Sequence, residues 1–326
     1  MSRALLAVLA LMPIATANAA KSRRVEPTLL IEGAGDGHGV GMSQWGALGY
    51  AQHGWDYQSI LAHYYSDTSL GTVSQKRAVK VLIGNRVKKV PIEAYVRGVV
   101  AAEMPSSWPK AALEAQAVAS RTYAVTDDAG GSRFDVYSDT RSQVYLGKAA
   151  ETTASNEAVR ATAGQVVTYQ GKPAITYFFS SSGGRTESIQ NSFLGASPQP
   201  WLKGVLDPYD GGPLHHWTVK LSFGQAARDL QGLTKGSFQG IEVQKRGFSP
   251  RIVLAEVLGS KGKTQVSGPE LAGRLGLDDS WAYFSVQKNG KTTKEPDLSG
   301  PRPPASEESP PPPPPSTGAQ GGVRAP

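Results

Sequence analysis

Glu103 is the side chain of this sequence best placed to trade a proton. It follows an apolar helical stripe of Ile92, Tyr95, Val96, Val99 and Val100, four residues after Val99 and seven after Val96. Pro91 suits a first helical position because it lacks the amide hydrogen that goes unpaired there, and Pro105 predicts a helix end after Met104. A carboxylate that continues a buried face loses hydration, and the unpaired carbonyls of a helix C-terminus carry partial negative charge. Both effects disfavour the charged form and push the pKa up, toward the proton-holding range that a general acid needs. Two arrangements are open to such a residue. It is either a proton donor in a cleft, or a frayed helix end that turns to solvent or pairs with a lysine such as Lys110.

A second group of polar side chains lies earlier, after the glycines at 33, 35, 37, 39 and 41. Alternating glycines let a backbone turn tightly or approach a ligand closely. The spacing has neither the lysine of a phosphate loop nor the pattern of a dinucleotide site. His38, Ser43 and Gln44 stand where this loop enters a helix, either to hydrogen-bond sugar hydroxyls or to satisfy backbone groups of the turn. A serine hydrolase is not supported, because Gly41-Met42-Ser43-Gln44-Trp45 lacks the second glycine of a nucleophile elbow. There are five histidines but no His-Glu-x-x-His helix, and the chain has no cysteine. Disulfides, thiolate metal sites and cysteine nucleophiles are excluded. The net charge of +7 is dispersed and suits an anionic cell envelope; nothing in it points to nucleic acid.

The elements that must hold these residues are legible in part. Trp108-Pro109 opens a second helix, whose alanines at 112, 115, 117, 119 and 124 permit close approach by neighbours. Ser43 and Asp56 read as caps of helices reaching His53 and Tyr65, with Ile60, Leu61 and Tyr64 turned inward. Strands are expected over 79–84 and 87–90, a helix over 153–163, and a strand pair, 165–169 with 174–180, around residues 170–173. Further on, a strand over 217–221 precedes a helix capped by Ser222. Residues 241–245 and 252–258 read as a terminal hairpin, and Ser267 caps a helix that stops at Gly276. Arg3, the apolar run from Ala4 to Met12 and Ala17-Asn18-Ala19 form a signal-peptide pattern over residues 1–19, which predicts export to the periplasm or an extracellular, wall-associated location. The apolar run is shorter than the roughly 20 residues of a spanning helix. From 289 to 326 the chain turns polar and proline-rich, the composition of a disordered, extended tail.

Several blocks together resemble the SpoIID/LytB family. The most specific is EAYVRGVVAAEMPSSWPKAALEAQAVASRTYA over 93–124, joined by SDTRSQVYLG over 138–147, YFFSSSGGRTES over 177–188, WLKGVLDPYD over 201–210 and SGPELAGRLGL over 267–277. GHGVGMSQWGALGYAQHGWDYQSILAHYYSDT over 37–68 completes the set, although in many members that block follows the glutamate motif instead of preceding it. The resemblance implies an α+β fold, with mixed helices and antiparallel strands around a glycan-binding cleft, within one domain over 28–288 of one or two lobes. It implies a lytic transglycosylase that cuts peptidoglycan glycan strands, stripped of their stem peptides, to 1,6-anhydro-N-acetylmuramic ends and uses no cofactor. Glu103 matches the family's catalytic glutamate.

His38, Ser43, Gln44, Arg121, Gln143, Tyr145, Ser181 and Gly183 match the family blocks as candidate cleft residues. Each has a structural alternative: a salt bridge for Arg121, strand pairing or core for Gln143 and Tyr145, and a plain turn for Ser181 and Gly183. Arg121 lies about 18 Å along its helix at roughly 1.5 Å per residue, which favours the structural role. Some members carry a metal on a His-Cys pair where this chain has Arg141-Ser142, so no metal is expected. The LytB branch implies the other possibility, a non-catalytic wall-binding protein that positions or stimulates a cell-wall amidase.

Overall fold

The computed structural model describes residues 26–288 and 291–294. The signal-peptide pattern over 1–19 and nearly all of the tail over 289–326 lie outside the described residues. Buried apolar side chains gather into two cores, one built mainly from helices and the other mainly from strands.

The first core surrounds a helix that is buried on every side. Helix α1 (Gln44–Gln52) is capped by the Ser43 hydroxyl, and α2 (Tyr57–Tyr64) by the Asp56 carboxylate. Helix α3 (Ile92–Glu103) is followed by α4 (Lys110–Thr126), whose residues from Ala112 to Ala124 are all buried. The short side chains of α4 let α1, α2, α3 and α5 (Thr153–Ala161) pack against it closely, as the alanine spacing predicts. Helix α3 ends one residue earlier than expected. Met104, which precedes Pro105, is held extended at φ −129° and ψ 139°, because the proline ring excludes the helical conformation from its predecessor. Pro91 likewise stands just before the first helical residue.

Three small sheets flank these helices. Ala78–Ile83 pairs antiparallel with Arg86–Pro91 and parallel with Val136–Tyr137, and Gln165–Tyr169 pairs with Ser69–Thr72 and Lys172–Pro173. The expected partnership of 165–169 with 174–180 stops early. Gln170 and Gly171, both at positive φ, turn the chain tightly, and beyond Ala174 it leaves to lay Phe178–Phe179 parallel to Met42–Ser43. That pairing ties residues 177–182 to the start of α1. The short α6 (Ile189–Ser192) follows.

The second core closes around the first strand of the chain. In Thr28–Gly33 the side chains of Leu29 and Ile31 are fully buried in alternation with more exposed neighbours, the period of a half-buried strand. It lies between Trp217–Ser222 and Ala282–Lys288, antiparallel to both, and Lys291–Lys294 adds an edge strand. Opposite it, Phe238–Arg246, Ile252–Gly259 and Gly262–Ser267 make an antiparallel meander. The hairpin expected there is thus the first part of a three-stranded sheet. Helices α7 (Phe223–Asp229) and α8 (Gly268–Leu275) complete this core, with Gly276 at φ 63° ending α8 in the left-handed region. The fold is α+β, with most strands antiparallel. Among the described residues no helix is long and apolar enough to cross a membrane.

Candidate functional site

Three segments distant in sequence converge on the Glu103 carboxylate. The last residue of α3 presents it, the Gln44 side chain at the start of α1 donates to Oε2 at 3.1 Å, and the Val144 amide donates to Oε1 at 2.7 Å. The early glycine block therefore sits against the glutamate motif, whatever their order along the chain. Lys110 is engaged elsewhere, 3.1 Å from Glu114, so the lysine pairing open to Glu103 is not formed. Burial raises the Glu103 pKa, opposed in part by the two amide donors, which favour the carboxylate. The carboxyl group is half-buried and has neutral partners on both oxygens.

The segment carrying the Val144 amide is itself fixed from α4. Gln143 is buried and donates to the Ser120 carbonyl at 3.1 Å, while the Ser142 hydroxyl donates to Asp127 at 2.9 Å. Tyr145 stacks on Tyr95 with ring centroids 5.0 Å apart. It rests on α3 at Gly98, where an added Cβ would come within 2.6 Å of the Tyr145 ring. Gln143 and Tyr145 thus hold the amide that reaches Glu103.

The other residues singled out by sequence are occupied within the chain. Ser43 caps α1 through the Gly46 amide at 3.0 Å. His38 accepts from the Val40 amide at 3.0 Å and packs among Tyr177, Phe179 and Phe193, where burial and the Arg251 charge lower its pKa to about 4 and keep it neutral. Arg121 is fully buried, with bidentate bonds to Glu93 at 3.0 and 2.7 Å and further bonds to the carbonyls of Ala117, Gln165 and Val159. The Ser181 hydroxyl and the Gly183 amide both donate to Asp210, at 2.8 and 2.7 Å. The glycine loop also faces inward. At Gly39 an added Cβ would meet the Arg251 guanidinium at 2.4 Å, and at Gly41 the Tyr177 carbonyl at 2.1 Å, so glycine there permits packing against the chain itself.

Sequence reasoning passed over two carboxylates inside a block it had marked. Asp207 and Asp210 are buried behind α1. Tyr64 donates to Asp207 at 2.8 Å, and an added Cβ on Gly46 would come within 2.3 Å of the same carboxylate. Burial, and then the neighbouring Asp210 charge, push the Asp207 pKa up to about 7. Burial also opposes the charge of Asp210, but its donors and the His215 ring 3.6 Å away outweigh that and hold it below the ordinary value. The Asp-x-x-Asp spacing within an otherwise apolar block was the available signal.

A stability profile should reveal this pair. Because the folded chain binds the Asp207 proton more tightly than an unfolded chain does, the group favours folding at low pH. That contribution is lost as pH rises from about 4 to about 7. Asp207→Asn, which cannot ionise, is expected to flatten the decline in melting temperature across this range; at about 1.4 kcal/mol per unit the removable effect is on the order of 4 kcal/mol at most. A profile unchanged by the substitution would refute it.

Arg141 and Ser142 do not fit a metal. Arg141 pairs with Asp139 at 2.7 Å and lies over the Tyr137 ring, and Ser142 is bonded to Asp127. Among the described residues no three His, Asp or Glu side chains are gathered as metal ligands would be.

Part of the chain is similar to known proteins. The SpoIID family, described as stage II sporulation protein, matches residues 84–169, which include Glu103, Arg121, Gln143, Val144 and Tyr145. An uncharacterized protein of Brachyspira hyodysenteriae is 41% identical over 147 residues, 44% of this chain and 39% of its own. The stage II sporulation protein D of Bacillus subtilis is 31% identical over 224 residues, 63% of each chain. The amidase enhancer of Bacillus subtilis is 37% identical over 142 residues, 44% of this chain but 19% of its own. The chain thus spans between about a fifth and under two thirds of the length of these relatives. The segment that matches the SpoIID family supplies both Glu103 and the Val144 amide bonded to it, so this part of the chain is similar to that family.

Proposed function

We propose that this protein is an exported peptidoglycan lytic transglycosylase, with Glu103 as its acid and base. The observation that carries the reading is a carboxyl group with raised pKa, held by two neutral donors and, among the described residues, by no cation. Such a group keeps a proton without being locked as the anion. Neutral Glu103 gives its proton to the glycosidic oxygen as the C1–O bond of the N-acetylmuramic residue breaks and positive charge develops at C1. The resulting carboxylate, favoured by the Val144 and Gln44 donors, removes the proton of the sugar's own 6-hydroxyl. The 6-oxygen then bonds to C1 and closes the 1,6-anhydro ring. Most glycosidases need a second carboxylate for this stage; here the substrate supplies the nucleophile. A half-turn of the Gln44 amide presents oxygen in place of nitrogen, so one contact serves both protonation states of Glu103.

The test is direct. Purified protein should convert glycan strands, denuded of stem peptides or intact, into fragments with anhydro-muramic ends, each lighter than the hydrolytic product by one water in mass spectrometry. Hydrolytic ends would refute the transglycosylase mechanism. No cleavage of either substrate would favour the second reading, supported by similarity to the amidase enhancer, in which the protein binds wall glycan and stimulates a cell-wall amidase.

A further inference from the structure

The six tryptophans divide by what their indole N–H groups do. Trp201 and Trp217 donate to backbone carbonyls, and the N–H groups of Trp55 and Trp281 are buried. The remaining two, Trp45 and Trp108, are half-buried, as are Trp55, Trp201 and Trp217, and are set apart by their N–H groups. Among the described residues their indole N–H groups neither bond to the protein nor lie sealed inside it. These two rings pack edge to face, with centroids 5.0 Å apart and an interplanar angle of 60°. Gly212 supports Trp45 from behind, since a Cβ there would lie 2.7 Å from the ring.

Their position relative to the acid is fixed by the backbone. Trp45 directly follows Gln44, which holds Glu103, and Trp108 closes the turn after Glu103 by donating its amide to the Pro105 carbonyl at 3.0 Å. Two packed aromatic surfaces with free donors thus follow closely in sequence on Gln44 and Glu103, the two side chains that meet at the carboxyl group. A pyranose ring offers an apolar C–H face and a rim of hydroxyls, and an indole with an open N–H complements both.

We propose that Trp45 and Trp108 form a stacking platform that seats a sugar ring of the glycan beside the bond addressed by Glu103. The platform rests on the reading of glycan as substrate, but it is a claim about binding and stands apart from cleavage. Each indole contributes aromatic contact and one hydrogen bond to a hydroxyl. The pair sets how far along the strand the cleaved bond lies from the seated ring.

The test uses the full-length exported chain carrying Glu103→Gln, so that denuded peptidoglycan glycan is bound without being consumed. N-bromosuccinimide oxidation, located by peptide mass spectrometry, should reach Trp45 and Trp108 in the free protein, and bound glycan should protect those two among the half-buried indoles. Trp45→Ala and Trp108→Ala should each weaken binding about 3- to 10-fold, in keeping with the modest energy of one aromatic contact. Trp45→Phe and Trp108→Phe keep the packing and should lose less; they decide the matter if an alanine variant does not fold. Absence of protection, or binding unchanged in the phenylalanine and alanine variants, would overturn the platform. Protection without anhydro products from the wild-type chain would sustain the platform and remove the transglycosylase reading. Anhydro products without protection would do the reverse.

Discussion

Glu103→Gln is expected to lower glycan cleavage by about 10² to 10⁴-fold, the range that acid-base catalysis contributes, while the melting temperature stays near that of the wild type. The two halves of this result have separate causes. Glutamine keeps the shape of glutamic acid but has no proton to give the glycosidic oxygen. Its own oxygen still accepts from the Val144 amide, and its nitrogen can face Gln44 once that amide turns over. No cation is stranded by the loss of charge, because among the described residues Glu103 forms no ion pair and its partners are the neutral Gln44 and Val144 amides. A structural ion pair would behave differently, at a cost of about 3 to 5 kcal/mol. Undiminished cleavage by a pure preparation would exclude Glu103 as the acid, and a collapse in melting temperature would show that it acts chiefly as a structural residue.

The largest effect on stability is expected at Arg251→Met. Arg251 is buried at the junction of the two cores. It pairs with Asp279, with Nε at 3.1 Å, and donates to the Arg185 carbonyl at 2.8 Å and to the Ser182 carbonyl at 3.2 Å. Arg185 and Ser182 border the turn around Asp210, whereas Arg251 adjoins the strand Ile252–Gly259 of the second core. Methionine fills similar volume with no donors, leaving a buried carboxylate and two carbonyls without their partner, a loss of roughly 3 to 5 kcal/mol. The pH dependence identifies the cause. Burial already pushes the Asp279 pKa up to about 6 against the pull of Arg251. Without that pull Asp279 holds its proton to still higher pH, so the variant is penalised more at pH 8 than at pH 5. Urea denaturation at the two values measures this. A uniform loss would mean that packing, not the unpaired charge, is responsible, and Arg251→Met with Asp279→Asn should recover part of the stability.

Helix positions and their caps were legible because their signals are local. Ser43, Asp56, Ser222 and Ser267 each cap the helix expected of them, and the alanines of α4 announce a buried helix. Glu103 was legible as a carboxylate ending an apolar stripe. Its two partners were not, since the meeting of Gln44 and the Val144 amide with Glu103 depends on packing around α4, which no spacing in the chain encodes. The parallel pairing of Met42–Ser43 with Phe178–Phe179 escaped for the same reason. Two-residue strands have no period to read, and the tight turn at Gln170 and Gly171 suggested a longer hairpin than forms. Arg251 and Asp279 gave no sequence signal at all; their bond is visible only once both cores are assembled. The chemistry of individual residues could be read along the chain, but the way they are shared between segments could not.

The placement of the first strand sets the order in which the molecule can be completed. Leu30 has Lys220 on one side and Ser285 on the other, so the strand that emerges first waits for partners made near the end. The helices around α4 draw on nearer neighbours and can assemble while those partners are still absent. Until the last strands arrive, Leu29 and Ile31 have no sheet to enter and the strand keeps two open edges, a state prone to pairing with other chains. Contacts between such distant residues also slow folding. The second core therefore cannot lock before the strand Ala282–Lys288 has been made.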